Sequence, residues 1–250
     1  MFRSQDTRSN VGVFVPIAGG YERYAGAKRQ IQYPTAEAFH AAQLRFPAAA
    51  ASRIRLPIIV NMEGAAIIRR PAFVGEVARA AGGVENEIFP EEMPSEDLRP
   101  FLETVQNLPA DVRIRINSKP ARLAGDVDRT LFAYYTYLLI ADRNRLVYWT
   151  YKEGTSDVPH YWYREFDLDL GRSLGKIRFD ESIWSREFEH AVVLVNPGKA
   201  AGEYSVDGSV RYYDIRGLAV PSPVVLKSRT AMLLIKDLFI LPGQRPESKP

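Results

Sequence analysis

Three glutamates stand where short apolar runs give way to polar residues. Glu63 follows the run LPIIVN (56–61), and Glu85 and Glu87 lie within GVENEIF (83–89). A second set, Arg113, Arg115 and Asn117, alternates through VRIRIN (112–117) and is followed by Ser118 and Lys119. In an extended strand, residues two apart share a face. Glu85 and Glu87 therefore share one, and Arg113, Arg115 and Asn117 share another, opposite Val112, Ile114 and Ile116. If the apolar face packs on helices, two glutamates and two arginines meet on the other. Paired carboxyls are the equipment of glycoside hydrolysis, at separations of about 5–5.5 Å for retention or about 6.5–9.5 Å for inversion. A general acid needs a raised pKa, and a neighbouring arginine lowers it. On that ground Glu85, deeper in its strand, reads as an ion-pair partner. Glu87, nearer the strand end, reads as the chemical group, with Glu63 at the end of the adjacent run as its partner. The competing reading of the same residues is a structural ion-pair network on a face that water reaches, with Glu63 a solvated loop residue.

Around these catalytic candidates (Glu87, Glu63 and Glu85), the candidate substrate-binding residues are Asn61, Asn117, Lys119, Trp149, Tyr151 and Tyr21. Trp149 and Tyr151 suit stacking on sugar rings or packing in a core. Tyr21 and Tyr24, beside Gly19 and Gly20, suit a pocket rim or a surface loop.

The elements that must position these residues alternate in type. Strand-like runs at 11–15, 56–61, 84–89, 112–117 and 146–151 are separated by helical patterns at 35–46, 73–81, 97–108 and 128–141. Gly82-Gly83 closes the second helical pattern. Such alternation predicts parallel βαβ units, whose ligands meet the C-terminal ends of the strands. After about residue 164 the helical period stops. Short runs at 191–196, 211–215, 223–226 and 231–235, separated by Gly, Pro and Asp turns, predict an antiparallel sandwich. The expected division is 1–165 α/β, 166–241 β-sandwich and 242–250 a disordered tail.

Composition narrows the classes. The 250 residues carry 33 Lys+Arg against 30 Asp+Glu, a net +3, with 46% hydrophobic residues, too apolar and too weakly charged for a disordered chain. The absence of cysteine excludes disulfide scaffolds, thiol enzymes and cysteine-ligated metals. His40, His160 and His190 share no ligand spacing, so no metal or other cofactor is expected. The basic residues are dispersed, so no nucleic-acid partner is expected. The longest apolar stretch, 131–141, is about half of the roughly 20 residues a transmembrane segment needs. The polar start, MFRSQDTRSN, lacks the apolar core of a signal peptide.

The order of motifs is familiar. DLDLGRSLG (167–175), Arg186-x-Phe188, VLVNP (193–197), YYDIRG (212–217) and MLLI (232–235) resemble the C-terminal β-domain of hypothetical glycoside hydrolases with a TIM-barrel catalytic domain. Upstream, GVF (12–14), YPT (33–35), LPIIVN, GVENEIF and 129–151 resemble the second half of that barrel. The resemblance runs from about 11 to 240. It places the glutamate ending the family's sixth strand on Glu87 and the asparagine ending its fifth on Asn61. The family's acidic residue after GVF is here replaced, Pro16 standing in its place. The fold it implies is a partial (β/α) TIM-like barrel of about five parallel βα units, lacking the first three, followed by a small antiparallel β-sandwich.

Two functions are expected from this. One is a glycoside-hydrolase-like protein acting on a polysaccharide by carboxylate acid/base catalysis, with carbohydrate as partner. The other is a catalytically inactive descendant, a structural or carbohydrate-binding subunit, with a protein partner or a second copy covering the incomplete barrel. The location follows the same fork: cytoplasmic as the chain is written, secreted if an N-terminal extension precedes it.

Overall fold

The structure is a computed structural model. It describes residues 36–54, 58–87, 89–90, 93–119, 127–151 and 162–236. The predicted strand at 11–15, Pro16, Tyr21, Tyr24 and His160 lie outside the described residues. The fold is mixed α/β, with a four-stranded parallel sheet and separate antiparallel sheets. The described residues divide into two compact units, one taking 36–118 and 144–150, the other 119, 127–143, 151 and 162–236.

In the first unit the strands β1 (Ile58–Asn61), β2 (Gly82–Glu87), β3 (Ile114–Ser118) and β4 (Val147–Tyr151, its last residue belonging to the second unit) lie in the order β1-β2-β3-β4. The register sets Asn61 opposite Glu85, Glu85 opposite Arg115, and Glu87 opposite Asn117. Helices Ala36–Ile54, Gly64–Arg69, Pro71–Ala81 and Ser95–Asn107 connect and cover these strands. Ile58, Val60, Val84, Ile114 and Ile116 on the strands are buried, as are Ile67, Val74, Val77, Leu98, Phe101 and Leu102 on the helices. At about 25 cal/mol per Å² of apolar surface removed from water, each such aliphatic side chain contributes roughly 1.5–3 kcal/mol. Phe89, just past β2, packs its ring on Phe101 at 5.3 Å between centroids.

Two local details differ from the sequence pattern. The first helix does not stop before Pro47 but runs on to Ile54. Proline removes one helical hydrogen bond, and the alanines at 48–51, the best helix formers, carry the helix past it. A further six-residue helix, Gly64–Arg69, follows β1 directly. Gly82 closes the helix before β2 at φ 124°, a conformation that favours glycine. At Gly83 a Cβ would come within 2.7 Å of Ile59 Cδ1.

The second unit is built on antiparallel pairing. Strands β5 (Arg178–Phe179), β6 (Trp184–Glu187), β7 (Ala191–Asn196) and β10 (Thr230–Ile235) form one sheet in the order β10-β7-β6-β5. β8 (Gly202–Tyr204) and β9 (Val224–Leu226) form another. Ile183, Val192, Leu194, Val224, Leu226 and Leu234 form a core cluster, joined by Tyr212. Helix Val127–Leu138 packs on β7 and β10.

The motifs of this unit close turns and cap elements. Arg186, only 3% exposed, donates from Nη1 to the carbonyls of Leu139 (2.7 Å) and Ala141 (2.8 Å), and reaches Asp142 at 3.4 Å. A cation at a helix C-terminus meets the negative end of the dipole and carbonyls that lack intrahelical donors. Phe188 lies beneath the same guanidinium, 5.7 Å from its carbon. Asn196 ties the VNPG turn, accepting from Gly198 N and donating to Ala200 O and Leu226 O. The expected strand at 211–215 is a turn instead, leaving only isolated bridges from Tyr213 to Ala219 and Ile235. Asp214 imposes the turn. Its Oδ1 accepts from the backbone N–H groups of Arg216 and Leu218, and Gly217 takes φ 81°. A side chain that satisfies its own neighbours' amides competes with a ladder.

Candidate functional site

The sequence face of alternating arginines becomes the polar face of the parallel sheet. β3 buries Ile114, Ile116 and Ser118 on one side and leaves Arg113, Arg115 and Asn117 half-buried on the other. Across the register, Glu85 receives donors on both oxygens: Arg115 Nη2 on Oε2 and Asn117 Nδ2 on Oε1 at 2.8 Å. Glu85 is 1% exposed and the Arg115 side chain 29%, so the pair is well shielded on the carboxylate side. Glu85 is thus ion-paired and held by its neighbours on β3.

Glu87, the last residue of β2, is half-buried and has a different partner. Asn61 Nδ2, from the end of β1, donates to Glu87 Oε2 at 2.9 Å. Glu63 stands two residues beyond Asn61 in the chain, as Glu87 stands two beyond Glu85. It is exposed and occupies the N-cap of helix Gly64–Arg69, where its carbonyl accepts from Ala66 N and Ile67 N. The structure therefore brings Asn61, Glu85, Glu87, Arg115 and Asn117 together on one face. Glu63 lies at the end of the strand beside them.

The aromatic candidates fall elsewhere. Trp149 Nε1 donates to Ser118 Oγ at 2.9 Å, and Ser118 is fully buried on the apolar side of β3. Trp149 therefore lies on that side of the sheet, and strand alternation puts Tyr148 and Thr150 on the polar side. Tyr148, 48% exposed, is an aromatic neighbour of the carboxylate face that the sequence reading did not name. Tyr151 packs edge-on against Phe166 at 5.4 Å within the second unit. Lys119 follows β3 as the first described residue of that unit. Tyr21 lies outside the described residues.

One buried polar group lies on the helix side of the sheet. Asn86 donates to Met62 O at 3.3 Å, while its Oδ1 is buried without a hydrogen-bond partner among the described residues. Its side chain sits next to Gly64, where an added Cβ would come within 3.5 Å of Nδ2.

Among the described residues no group of three or more His, Asp and Glu side chains is arranged to hold a metal ion, and no helix is long and apolar enough to cross a membrane. What the polar face offers is carboxylate chemistry. One glutamate is neutralised in place by an arginine, a second is held by a neutral amide at a strand end, and a third is exposed beside it.

No curated protein matches the chain. Residues 23–192 match the hypothetical glycosyl hydrolase family 15. That span takes in all four parallel strands, every candidate from Asn61 to Tyr151, and the first two residues of β7. It covers well over half of the 250 residues, and the chain, glycoside-hydrolase-like in its sequence, belongs to the hypothetical glycosyl hydrolase family 15.

Proposed function

We propose that the protein hydrolyses a polysaccharide, with Glu87 as the acid/base group and Glu63 as its carboxylate partner. The observation that carries this is the position of the two glutamates: Glu87 ends one parallel strand and Glu63 stands two residues past the end of its neighbour, at the C-terminal ends where α/β folds gather their ligands. Glu85, with both oxygens taken by β3 donors, anchors the face rather than moving a proton. Asn117 and Tyr148 border the same face and are the residues placed to meet sugar hydroxyls and rings. The reading takes the parallel strands as part of a (β/α) barrel to which the antiparallel sheets are appended. Family membership supports the substrate class.

The test is a reducing-end release screen of the full chain against a panel of neutral and acidic polysaccharides. Release that is lost in both Glu63→Gln and Glu87→Gln supports the assignment. A chain that binds a glycan without cleaving any would put the inactive, carbohydrate-binding descendant in its place.

A further inference from the structure

We propose that Trp162, in the second unit, is a stacking platform for a pyranose ring of a neutral polysaccharide. Trp162 is 70% exposed, the most exposed large apolar side chain among the described residues. Its ring is nonetheless held in place. Nε1 donates to Asp167 Oδ2 at 2.9 Å, and the indole stands at 88° to the Phe166 ring, 5.5 Å between centroids. Phe166 is in turn met by Tyr134 at 4.7 Å, Tyr163 at 5.3 Å and Tyr151 at 5.4 Å. Phe166 and Asp167 both belong to the short 3₁₀ helix Arg164–Asp167, so a single element supplies both restraints on the indole.

An exposed apolar side chain standing singly is ordinary on a protein surface and by itself marks nothing. Trp162 differs in being fixed by its edge. The indole N–H bond lies in the ring plane, so Asp167 occupies an edge and leaves the faces unblocked. At this exposure at least one face stands open to water. A ring already held in one orientation loses little conformational entropy when a ligand lies on it. The surroundings decide the kind of ligand. Arg164 and Asp167 are both exposed, which gives the indole a polar rim rather than the apolar patch at the centre of a protein interface. A flat apolar face with polar groups at its edge matches a pyranose, whose C–H face stacks on the ring while its hydroxyls reach the rim. The Asp167 carboxylate accepts from hydroxyls and repels the carboxylate of a uronic acid, so the fit is to a neutral chain. The inference rests on carbohydrate as the substrate class proposed above, and does not depend on which glutamate is catalytic.

The test is affinity electrophoresis of the full chain through gels carrying hydroxyethyl cellulose, pullulan or galactomannan, with polygalacturonate as the acidic comparison. The expected result is that at least one neutral polysaccharide retards the chain more strongly than polygalacturonate does. Trp162→Ala should weaken that binding by about ten-fold or more at an unchanged Tm, the scale of uncovering one aromatic face. Asp167→Ala, which frees the indole edge, should weaken it by about three-fold, the scale of ordering one loose side chain. If Trp162→Ala does not fold, acrylamide quenching of the unsubstituted chain decides the matter. The other tryptophans, Trp184 and Trp149, are buried and half-buried, so the readily quenched fluorescence belongs to Trp162 and the retarding polysaccharide should protect it. No retardation by any of the neutral polysaccharides, stronger retardation by polygalacturonate, or binding that ignores Trp162→Ala would overturn the proposal. Binding lost in Trp162→Ala by a chain that cleaves no glycan would uphold the platform and remove the hydrolase reading. Cleavage by a chain whose binding ignores Trp162→Ala would do the reverse.

Discussion

Asn117 donates to Glu85 Oε1 at 2.8 Å while Arg115, two residues before it on the same strand, donates to Oε2. A single glutamate is thus gripped by two residues of one β-strand, and the polar face of the sheet is pinned at its centre. The buried end of this interaction is the carboxylate, so the cost of breaking it depends on which partner is removed.

Arg115→Ala should destabilise the chain by about 3 kcal/mol, because it leaves a buried carboxylate short of its cation. Arg79→Ala, which breaks an exposed pair with Asp111, should be close to neutral. Urea unfolding of the two variants measures the contrast. Equal losses would mean that the Glu85 pair is no better shielded than a surface bridge.

Arg186→Ala should cost about 3–4 kcal/mol, since one buried guanidinium serves two helix-end carbonyls and Asp142. For a chain of this size that is a fall in Tm of roughly 6–16 °C. Arg186→Lys should recover less than half of it, because an ammonium cannot reproduce the planar fork. Thermal melting of the three proteins distinguishes capping from simple loss of charge.

Gly171→Ala should cost about 2 kcal/mol or more. Gly171 adopts φ 76°, and a Cβ there would come within 2.6 Å of Glu189 Cβ. Gly208→Ala, with nothing within 4 Å of the added carbon, should be near neutral. Denaturant midpoints of both variants test whether the LGRSLG turn is as tight as it stands.

The turn beginning at Asp169 should also make the second unit sensitive to acid. The backbone amide of Gly171 lowers the Asp169 pKa, partial burial works against it, and the Arg143 guanidinium reinforces the lowering. A carboxyl whose folded pKa is depressed contributes stability above its unfolded value and loses it as pH falls through the folded one. Stability should therefore decline as pH drops below about 4, and the decline should be shallower in Asp169→Asn. Chemical unfolding at a series of acidic pH values provides the slope.

Much of this fold could be read from residue order because a single period carried it. VRIRIN alternates strictly, and the structure separates its arginines from its isoleucines by face. AVVLVN, apolar throughout and bounded by turn residues, is the strand Ala191–Asn196. An ion pair at Glu85 followed from its depth in β2 and from arginines on the neighbouring strand. Other features depend on partners far away in sequence. LVYWTY is aromatic on both faces, so alternation could not say which side Trp149 takes until its contact with Ser118, 31 residues earlier, settled it. Arg186 finds its carbonyls 45 and 47 residues back, and no local pattern marks that bond. The six residues GAAIIR are too few to show a helical period. In YYDIRG the aromatic pair suggested a strand, while the Asp214 side chain imposed a turn.

Glu87 is the residue proposed to do the chemistry. The most direct measurement is the rate of reducing-end release from a cleaved polysaccharide by the full chain and by Glu87→Gln, with thermal melting to verify the fold of both. The expected result is a loss of at least about 100-fold in the variant at an unchanged Tm, the scale of a missing general acid or base. Equal rates in the two proteins would contradict it.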